Sequence, residues 1–303
     1  MDPKEAYELV SNEAKKHISG KGDVIKLIFI ALVANGHILL EGVPGVAKTT
    51  ITKTIAGSIN ASFGRIQGMP DLDIRDVIGY TYMDEEHNVV LKKGPIFNNI
   101  LLIDELNRTP PKTTTALLEA LEERQVSIGS STMPLEKPFI TIATQNPLNI
   151  EGTTSLPKVL SDRFLMRVEV TYPNMEEEQQ MLRIKEKEDD AVIKPVLEKK
   201  DILEIQSMIN TVSMPDNVLE YTTRIVNATR TDIHLVMGAS PRAEISFMRC
   251  AKAKALIEGR KEITIEDIKS LARPVLSHRL VTRSTGGVGL GGIIDGIIAT
   301  LQK

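Results

Sequence analysis

The decapeptide EGVPGVAKTT has the residue types and the spacing of a phosphate-binding loop. Gly42, Lys48 and Thr49 match the pattern G-x-x-x-x-G-K-[ST], but Ala47 stands where that pattern has its second glycine. In such a loop, backbone N–H groups near Gly42 and Gly45 hold phosphate, the lysine pairs with the β- and γ-phosphates, and the threonine hydroxyl ligates Mg²⁺. Because of the mismatch, the loop alone leaves a second interpretation open, which is a glycine-containing turn with a surface lysine.

Two acidic residues and an amide follow two further apolar runs. Asp104 and Glu105 end the run ILLIDE, and Asn146 lies just past FITIAT. At the carboxyl end of a parallel strand, one acid can hold Mg²⁺ and a second can polarise a water molecule, and an amide there can orient that water or contact the γ-phosphate. The alternatives are a solvated acidic turn and ordinary turn chemistry for the amide. Two acids in the same predicted domain as the loop favour the nucleotide interpretation.

Two arginines are further candidates for contact with an anion. Arg163 lies in LSDRF, between a helical stretch and a predicted strand. In GASPRA, Ser240 is typical of an N-cap and Pro241 of a first helical residue, which places Arg242 in the first turn of a helix. A cation there opposes the helix dipole, a cost more easily accepted if the arginine meets an anion. Exposed arginines without a ligand are the alternative.

The phosphate chemistry requires a strand before the loop and a helix after it. HILLEG is typical of a buried strand, and the stretch from Thr49 is typical of the following helix. Helical stretches, notably residues 109–125, separate several other apolar runs, and this alternation indicates an α/β domain with a mostly parallel sheet. The predicted strands are residues 37–42, 64–68, 98–104, 139–144 and 167–172.

The character of the sequence changes after Tyr172 and Pro173. Beyond them the segments have helical periodicity and no convincing strand pattern. We therefore predict two domains, a nucleotide-binding α/β core over residues 1–173 and a smaller all-helical lid over residues 174–303. The predicted lid helices are residues 175–190, 199–210, 215–230, 241–258 and 264–276.

The composition argues against several classes of protein. A net charge of -3, 4% aromatic residues and no tryptophan argue against a nucleic-acid-binding protein on electrostatic and stacking grounds. The single cysteine, Cys250, excludes an intrachain disulfide within these residues, and its apolar surroundings predict a buried structural role. The five histidines lack paired i, i+4 spacing, so we predict no histidine metal site. The sequence shows no signal peptide or membrane span, so we expect a cytoplasmic protein.

The order of the motifs closely resembles the MoxR family of AAA+ ATPases. The resemblance covers about residues 18–282 and is carried by EGVPGVAKTT, ILLIDELNRTPPKTTTALLEALEERQV, FITIATQNP, EGTTSLPKVLSDRF and GASPRA. The segments RIQGMPDLDIRDVIG and ITIEDIKSLARPVLSHRL belong to it as well. Family members typically have alanine at the position of Ala47, so the mismatch agrees with the family. The resemblance implies an α/β AAA+ P-loop NTPase, with a parallel-sheet αβα core followed by a smaller all-α lid.

The resemblance also implies a role for each candidate residue. Asp104 and Glu105 match Walker B, with Glu105 as the base that activates water, and Asn146 matches sensor 1. Arg163 resembles the arginine finger, which acts in a neighbouring subunit's site, and Arg242 matches sensor 2, reaching from the lid. The Walker A residues are Gly42, Val43, Pro44, Gly45, Val46, Ala47, Lys48, Thr49 and Thr50.

The implied cofactors are ATP or ADP and Mg²⁺, with Thr49 and Asp104 as metal ligands. The implied assembly is a ring, commonly a hexamer, with its sites between subunits. Two insertions, residues 78–95 and 125–138, have β-prone arms and could face the pore of the ring or form plain surface hairpins. Arg108 is a further interface candidate or a surface arginine. The family places the adenine pocket around residues 18–22.

Three functions stay open at this stage. The first is an ATP-driven remodeller of protein clients, acting beside a separate protein with a von Willebrand factor A domain. The second is a nucleotide-dependent binding scaffold whose slow turnover would be unaffected by Glu105→Gln. The third is a DNA-acting motor, which only Lys92 and Lys93 support. Intact Glu105, Asn146 and Arg163 favour the first.

Overall fold

A computed structural model describes residues 1–43, 45–129, 131–146, 156–186, 192–283 and 289–301 of the 303-residue chain. Pro44 of the predicted Walker A loop lies outside these residues, as does Ser130 in the turn of the second predicted hairpin. All other predicted site residues lie within them.

The strands and helices alternate through the first half of the chain, and helices dominate the second half. The strands are β1 Ile38–Glu41, β2 Phe63–Gln67, β3 Gly79–Met83, β4 Val89–Lys93, β5 Ile100–Asp104, β6 Gln125–Ile128, β7 Ser131–Pro134, β8 Ile140–Gln145, β9 Met166–Glu169, β10 Leu235–Met237 and β11 Val281–Thr282. The helices are α1 Pro3–Ala14, α2 Gly22–Val33, α3 Lys48–Ser58, α4 Ile74–Ile78, α5 Pro111–Glu123, α6 Lys158–Ser161, α7 Met175–Glu186, α8 Lys199–Met208, α9 Asp216–Thr231, α10 Pro241–Ile257, α11 Ile265–Leu276 and α12 Leu290–Thr300. Within the described ranges, none of these helices is both long and apolar enough to cross a membrane.

A five-stranded parallel sheet, in the order β2-β5-β8-β1-β9, forms the centre of the first domain. Alternate residues of its strands point to opposite faces. Leu39 and Leu101 therefore join the core on one face, whereas Leu40 and Leu102 join the core on the other. Burial on both faces explains why these strands are continuous apolar runs. The predicted α/β class with a mostly parallel sheet is confirmed.

The strands of this sheet end together at one edge, which we call the carboxyl edge. Gln67, the last residue of β2, pairs with Asp104, the last residue of β5. Glu41, the last residue of β1, pairs with Gln145, the last residue of β8. Ligands of open parallel sheets bind beyond the carboxyl ends of the strands, so this edge is the expected position of a nucleotide.

The opposite edge, which we call the amino edge, is organised by a buried histidine. His37 directly precedes β1, and its Nε2 lies 3.0 Å from the carbonyl oxygen of Leu121, near the end of α5. Its Nδ1 accepts a hydrogen bond from the backbone N–H of Thr141 (2.9 Å), and Leu165 N donates to its carbonyl oxygen (2.8 Å). Burial holds the pKa of His37 well below its usual value, so the ring stays neutral. The end of α5 and the residues just before β9 therefore lie at the amino edge.

The helices after β9 form the second domain around α10. This helix packs against α9 and α11 of the same domain and also against α1 and α2. Its Phe247 and Cys250 are fully buried, in a core that is continuous with one face of the sheet. Burial raises the pKa of the Cys250 thiol to about 12, which makes it an inert apolar residue and confirms the predicted structural role.

The second domain is not entirely helical, which corrects the sequence-based description. Strands β10 and β11 form a two-stranded antiparallel ribbon, in which Leu235 pairs with Thr282 and Met237 with Val281. These strands contain three and two residues, too few for an alternating pattern to be visible in the sequence. The ribbon joins the end of the α9 segment to the segment that follows α11.

Both predicted insertions form antiparallel hairpins. The first pairs Gly79 with Lys93 through Met83 with Val89, and the second pairs β6 with β7. Strand β3 of the first hairpin contacts β6 of the second, so the two hairpins lie side by side. The first hairpin carries exposed apolar side chains, which are Tyr80, Tyr82, Met83 and Val89.

Candidate nucleotide site

The predicted Walker A loop lies between β1 and α3, and two of its described residues have positive φ angles. A Cβ on Gly42 would lie 2.4 Å from the carbonyl oxygen of Val170, so only glycine fits there. Gly45 has φ +85°, a conformation that glycine adopts without strain. Ala47 has φ 60°, in the left-handed region, which explains why the general pattern has glycine at this position. Alanine is accommodated here at a cost of about 1–2 kcal/mol.

Lys48 begins α3 and folds back over the loop. Its Nζ donates to the carbonyl oxygens of Gly42 (2.5 Å) and Val43 (3.2 Å). Partial burial lowers its pKa, and the negative charges of Asp104 and Glu105 act in the opposite direction. The ammonium group is therefore hydrogen-bonded to the loop and feels the charges of Asp104 and Glu105, the two predicted Walker B acids.

Asp104 is the centre of a small polar cluster at the end of β5. Its Oδ2 accepts hydrogen bonds from Thr49 Oγ1 (3.3 Å) and from Arg65 Nε (2.8 Å). Its Oδ1 accepts from Thr144 Oγ1 (3.3 Å). A carboxylate and a hydroxyl at hydrogen-bonding distance are hard oxygen donors, and this donor set fits Mg²⁺.

Glu105 directly follows β5 in a strained conformation, with φ 54°. Its N–H donates to Thr144 Oγ1 (2.9 Å), and its carboxylate accepts from Arg108 Nη1 (2.9 Å). Gly68 packs against its backbone, because a Cβ on this glycine would lie 2.2 Å from the Glu105 carbonyl oxygen. Three neighbours thus position the acid that the sequence identified as a candidate base. Arg108 pairs with Glu105 of its own chain.

Asn146 follows β8 directly and is half-buried. Strand β8 lies between β5, which carries Asp104, and β1, which leads into the loop. The preceding residue, Gln145, donates from Nε2 to Glu41 Oε1 (2.7 Å), which ties the ends of β8 and β1 together. Asn146 therefore follows the strand that lies between the strand leading into the loop and the strand that carries Asp104.

The segment between α1 and α2 lies next to the end of β9. Lys21 Nζ donates to the carbonyl oxygen of Thr171 (3.0 Å), and Ser19 Oγ donates to Gln180 in α7 (3.2 Å). Since β9 is the neighbour of β1 in the sheet, this segment flanks the loop at the carboxyl edge. That position is compatible with the adenine pocket expected around residues 18–22.

Arg163 and Arg242 are brought together on one carboxylate, away from the residues above. Arg163 Nε donates to Glu122 Oε2 (2.8 Å), with a second bond from Nη2, and Arg242 Nη2 donates to Glu122 Oε1 (2.6 Å). Asp162 accepts from Arg279 Nε (2.9 Å) at Oδ1 and from Ser240 Oγ (3.1 Å) at Oδ2. We call Glu122, Arg163 and Arg242 the arginine pair cluster.

The arginine pair cluster lies at the amino edge of the sheet. Glu122 follows Leu121, whose carbonyl contacts His37, and Arg163 lies just before β9. An adjacent cavity is lined by four arginines, including Arg249 and Arg279, and by two acids, Glu122 and Asp162. The predicted helix start at Pro241 is confirmed, and Ser240 stands at the N-cap position, but its hydroxyl donates to Asp162 and does not cap the helix.

Sequence reasoning missed Arg65, Thr144 and Glu122. Arg65 stands in the predicted strand GRIQG, and its only local signal is a charge within a largely buried segment. Thr144 was part of an apolar run, and Glu122 was one of several acids on a helix. Their partners are between 39 and 120 residues distant in the chain, so only the fold reveals them.

Three family models match the chain. One described as the ATPase family associated with various cellular activities (AAA) matches residues 37–166, and an AAA lid domain model matches residues 227–287. A third, described as the MoxR domain in MoxR-vWA-beta-propeller ternary systems, matches residues 5–66.

Known proteins and a solved structure resemble most of the chain. The protein YeaC of Bacillus subtilis is 42% identical over 275 residues, which are 89% of this chain and 86% of that protein. Chaperone MoxR1 of Mycobacterium tuberculosis is 39% identical over 282 residues, which are 89% of this chain and 74% of that protein. The crystal structure of a candidate ATPase from Cytophaga hutchinsonii is 37% identical and superposes with a TM-score of 0.91, covering 98% of this chain and 94% of that one. On its fold, the matching family models and these relatives, the chain belongs to the MoxR family of AAA+ ATPases.

Proposed function

We propose that this protein hydrolyses ATP in a Mg²⁺-dependent reaction within a ring, that each site is shared by two subunits, and that the ring reshapes protein clients. The observation that carries this proposal is the separation of the two sets of candidate residues. Lys48, Thr49 and Asp104 lie at the carboxyl edge of the sheet, whereas Arg163 and Arg242 lie at the amino edge.

The separation supports a shared site for a simple geometric reason. Strand β1 has four residues, and at about 3.3 Å per residue the two edges lie roughly 13 Å apart. An arginine side chain does not span that distance from the amino edge. If Arg163 and Arg242 contact a phosphate, that phosphate is held by another copy of the chain. The two arginines would then act together in the neighbour's site, and the arginine-lined cavity beside them would face that site.

Within one subunit, the carboxyl edge would supply the remaining chemistry. Lys48 and the loop N–H groups would hold the phosphates, and Thr49 and Asp104 would hold Mg²⁺, which neutralises phosphate charge when bound. Glu105 would accept a proton from the attacking water, and Asn146 would orient that water or the γ-phosphate. The strained backbone of Glu105 and its contacts with Gly68 and Thr144 would keep the carboxylate in place.

The proposed client and partner rest on the relatives. One matched model is described by its occurrence in MoxR-vWA-beta-propeller systems, and one relative is named a chaperone. We therefore propose a separate von Willebrand factor A domain protein as partner and a protein as client. The exposed apolar side chains of the first hairpin, Tyr80, Tyr82 and Met83 among them, would contact the client from the pore of a hexamer.

The test is complementation between two inactive variants, Arg163→Ala and Glu105→Gln. Each variant alone should lose about 10³-fold or more in ATPase rate. In a 1:1 mixture, sites with an intact Glu105 and a neighbour's intact Arg163 should recover about a quarter of the wild-type rate if assembly is random. The wild-type rate per subunit should also rise with protein concentration.

A matched control is Arg224→Ala, which removes an exposed arginine from α9 and should keep the wild-type rate. A rate that is independent of concentration, unaffected by either mutation, would contradict the shared site. That outcome would leave a nucleotide-binding scaffold with little turnover.

A further inference from the structure

Arg65 occupies the coordination space of the proposed metal ligand. Its Nε lies 2.8 Å from Asp104 Oδ2, and its Nη2 donates to Gln67 Oε1 (3.2 Å) on the same strand. The Asp104 side chain is 10% exposed and the Arg65 side chain 49%, so the guanidinium covers the carboxylate from the solvent side. No sequence motif points to a role for Arg65.

Both lone pairs of Asp104 Oδ2 are in use. A carboxylate oxygen has two lone pairs in its plane. Those of Oδ2 accept from Thr49 Oγ1 and Arg65 Nε, and Oδ1 accepts from Thr144 Oγ1. A cation that binds Oδ2 and Thr49 Oγ1 takes the lone pair that now accepts from Thr49, and its charge then lies beside the Arg65 guanidinium on the same oxygen.

We propose that Arg65 is a built-in counter-cation, which neutralises Asp104 until Mg²⁺ with its nucleotide takes over that carboxylate. This inference rests on the proposed function, because it assumes that Asp104 holds the metal. Arg65 is thus a positioning residue: it holds the Asp104 carboxylate in place and offsets its negative charge before phosphate arrives. Its guanidinium competes with Mg²⁺ for one oxygen, and therefore raises the Mg²⁺ concentration needed to fill the site.

The test measures binding of a fluorescent nucleotide, N-methylanthraniloyl-ADP, to the full-length chain with EDTA and across a Mg²⁺ titration. In Arg65→Gln, the half-saturating Mg²⁺ concentration should fall about threefold to tenfold. This is the change expected when a partly exposed, charge-assisted hydrogen bond no longer competes with the metal. Affinity in EDTA should weaken, because the bare Asp104 carboxylate then repels the phosphates, and saturating Mg²⁺ should restore it. Arg65→Lys should fall between wild type and Arg65→Gln.

Two further variants separate the possible failures. Arg75→Gln, which removes another arginine paired with an aspartate, should behave as wild type. Asp104→Asn should abolish the response to Mg²⁺, and if it does not, the proposed metal site itself is wrong. If Asp104→Asn abolishes the response but Arg65→Gln leaves the Mg²⁺ requirement unchanged, the counter-cation role is refuted and the proposed function stands. If Arg65→Gln weakens binding of the fluorescent nucleotide equally in EDTA and in Mg²⁺, Arg65 is a phosphate ligand, which also overturns the inference.

Discussion

Replacing Gly68 by alanine should move the candidate base without touching the phosphate-binding loop. Gly68 follows β2, and its N–H donates to the carbonyl oxygen of Asp104 (2.7 Å). A Cβ there would lie 2.2 Å from the carbonyl oxygen of Glu105 and 2.9 Å from that of Asp104. Both are backbone atoms, so no side-chain rotation can relieve the contact, and the peptide at Glu105 must move.

The size of the effect follows from the distances. The carbonyl of Glu105 has to retreat by about 1 Å to reach an ordinary contact, and a misplacement of that size costs about 10²-fold in rate. Overpacking of this kind also costs about 1–3 kcal/mol of unfolding free energy. The loop follows β1, which is separated from β2 by β5 and β8, so nucleotide affinity should change by less than about threefold.

Three measurements on the purified protein check this: kcat at saturating ATP and Mg²⁺, affinity for N-methylanthraniloyl-ADP, and the thermal unfolding midpoint. Gly296→Ala is the matched control, because a Cβ there meets no atom within 4 Å and its helix should gain up to about 1 kcal/mol. A Gly68→Ala variant that unfolds earlier but keeps kcat within about twofold of wild type would refute the idea that this glycine positions Glu105.

Two further predictions concern Ala47 and Asp267. Ala47→Gly should keep nucleotide affinity within about twofold of wild type. The unfolding free energy should stay equal or rise by about 1 kcal/mol, because glycine adopts the left-handed conformation of this position without strain. A clear loss of stability in thermal unfolding would contradict this. Burial pushes the pKa of Asp267 upward, but hydrogen bonds from Arg260 and Lys254 outweigh it and lower the pKa from 3.8 to about 2. A lowered pKa in the folded state stabilises the fold at every pH above the pKa of the unfolded state. Urea unfolding should therefore show that Asp267→Asn costs on the order of 2 kcal/mol at neutral pH. That difference should shrink as the pH falls from about 4 towards 2, and a difference independent of pH would exclude the ion pair as its source.

The residues of the carboxyl edge were largely predictable from the sequence, because each follows directly after an apolar run that is typical of a strand. The apolar run before Asp104 predicts a buried strand, and a parallel sheet then brings its end next to the loop at Lys48. The expected α/β core followed by a helical lid is confirmed, apart from the ribbon of β10 and β11. Each residue's predicted role in catalysis stays a prediction.

The contacts at the amino edge were not predictable, because the residues that form them are distant in the chain and share no local sequence pattern. Glu122 and Arg242 are separated by 120 residues, and their contact depends on how α10 packs against the core, where it contacts α2. Arg65 gave no signal for a similar reason, since its partner Asp104 lies on the next strand, 39 residues later. Long-range ion pairs depend on strand order and domain packing, which residue periodicity does not encode.

The arginine pair cluster has a mechanical consequence. Arg163 belongs to the core and Arg242 to the lid, yet one carboxylate holds both. In the proposed shared site, a phosphate bound by the neighbouring subunit would replace Glu122 as the partner of both arginines. The core and the lid of the subunit that carries these arginines would then be held at a single point. In the proposed ring, the nucleotide in one subunit would then set the angle of the lid in the next subunit, and the signal would travel in one direction.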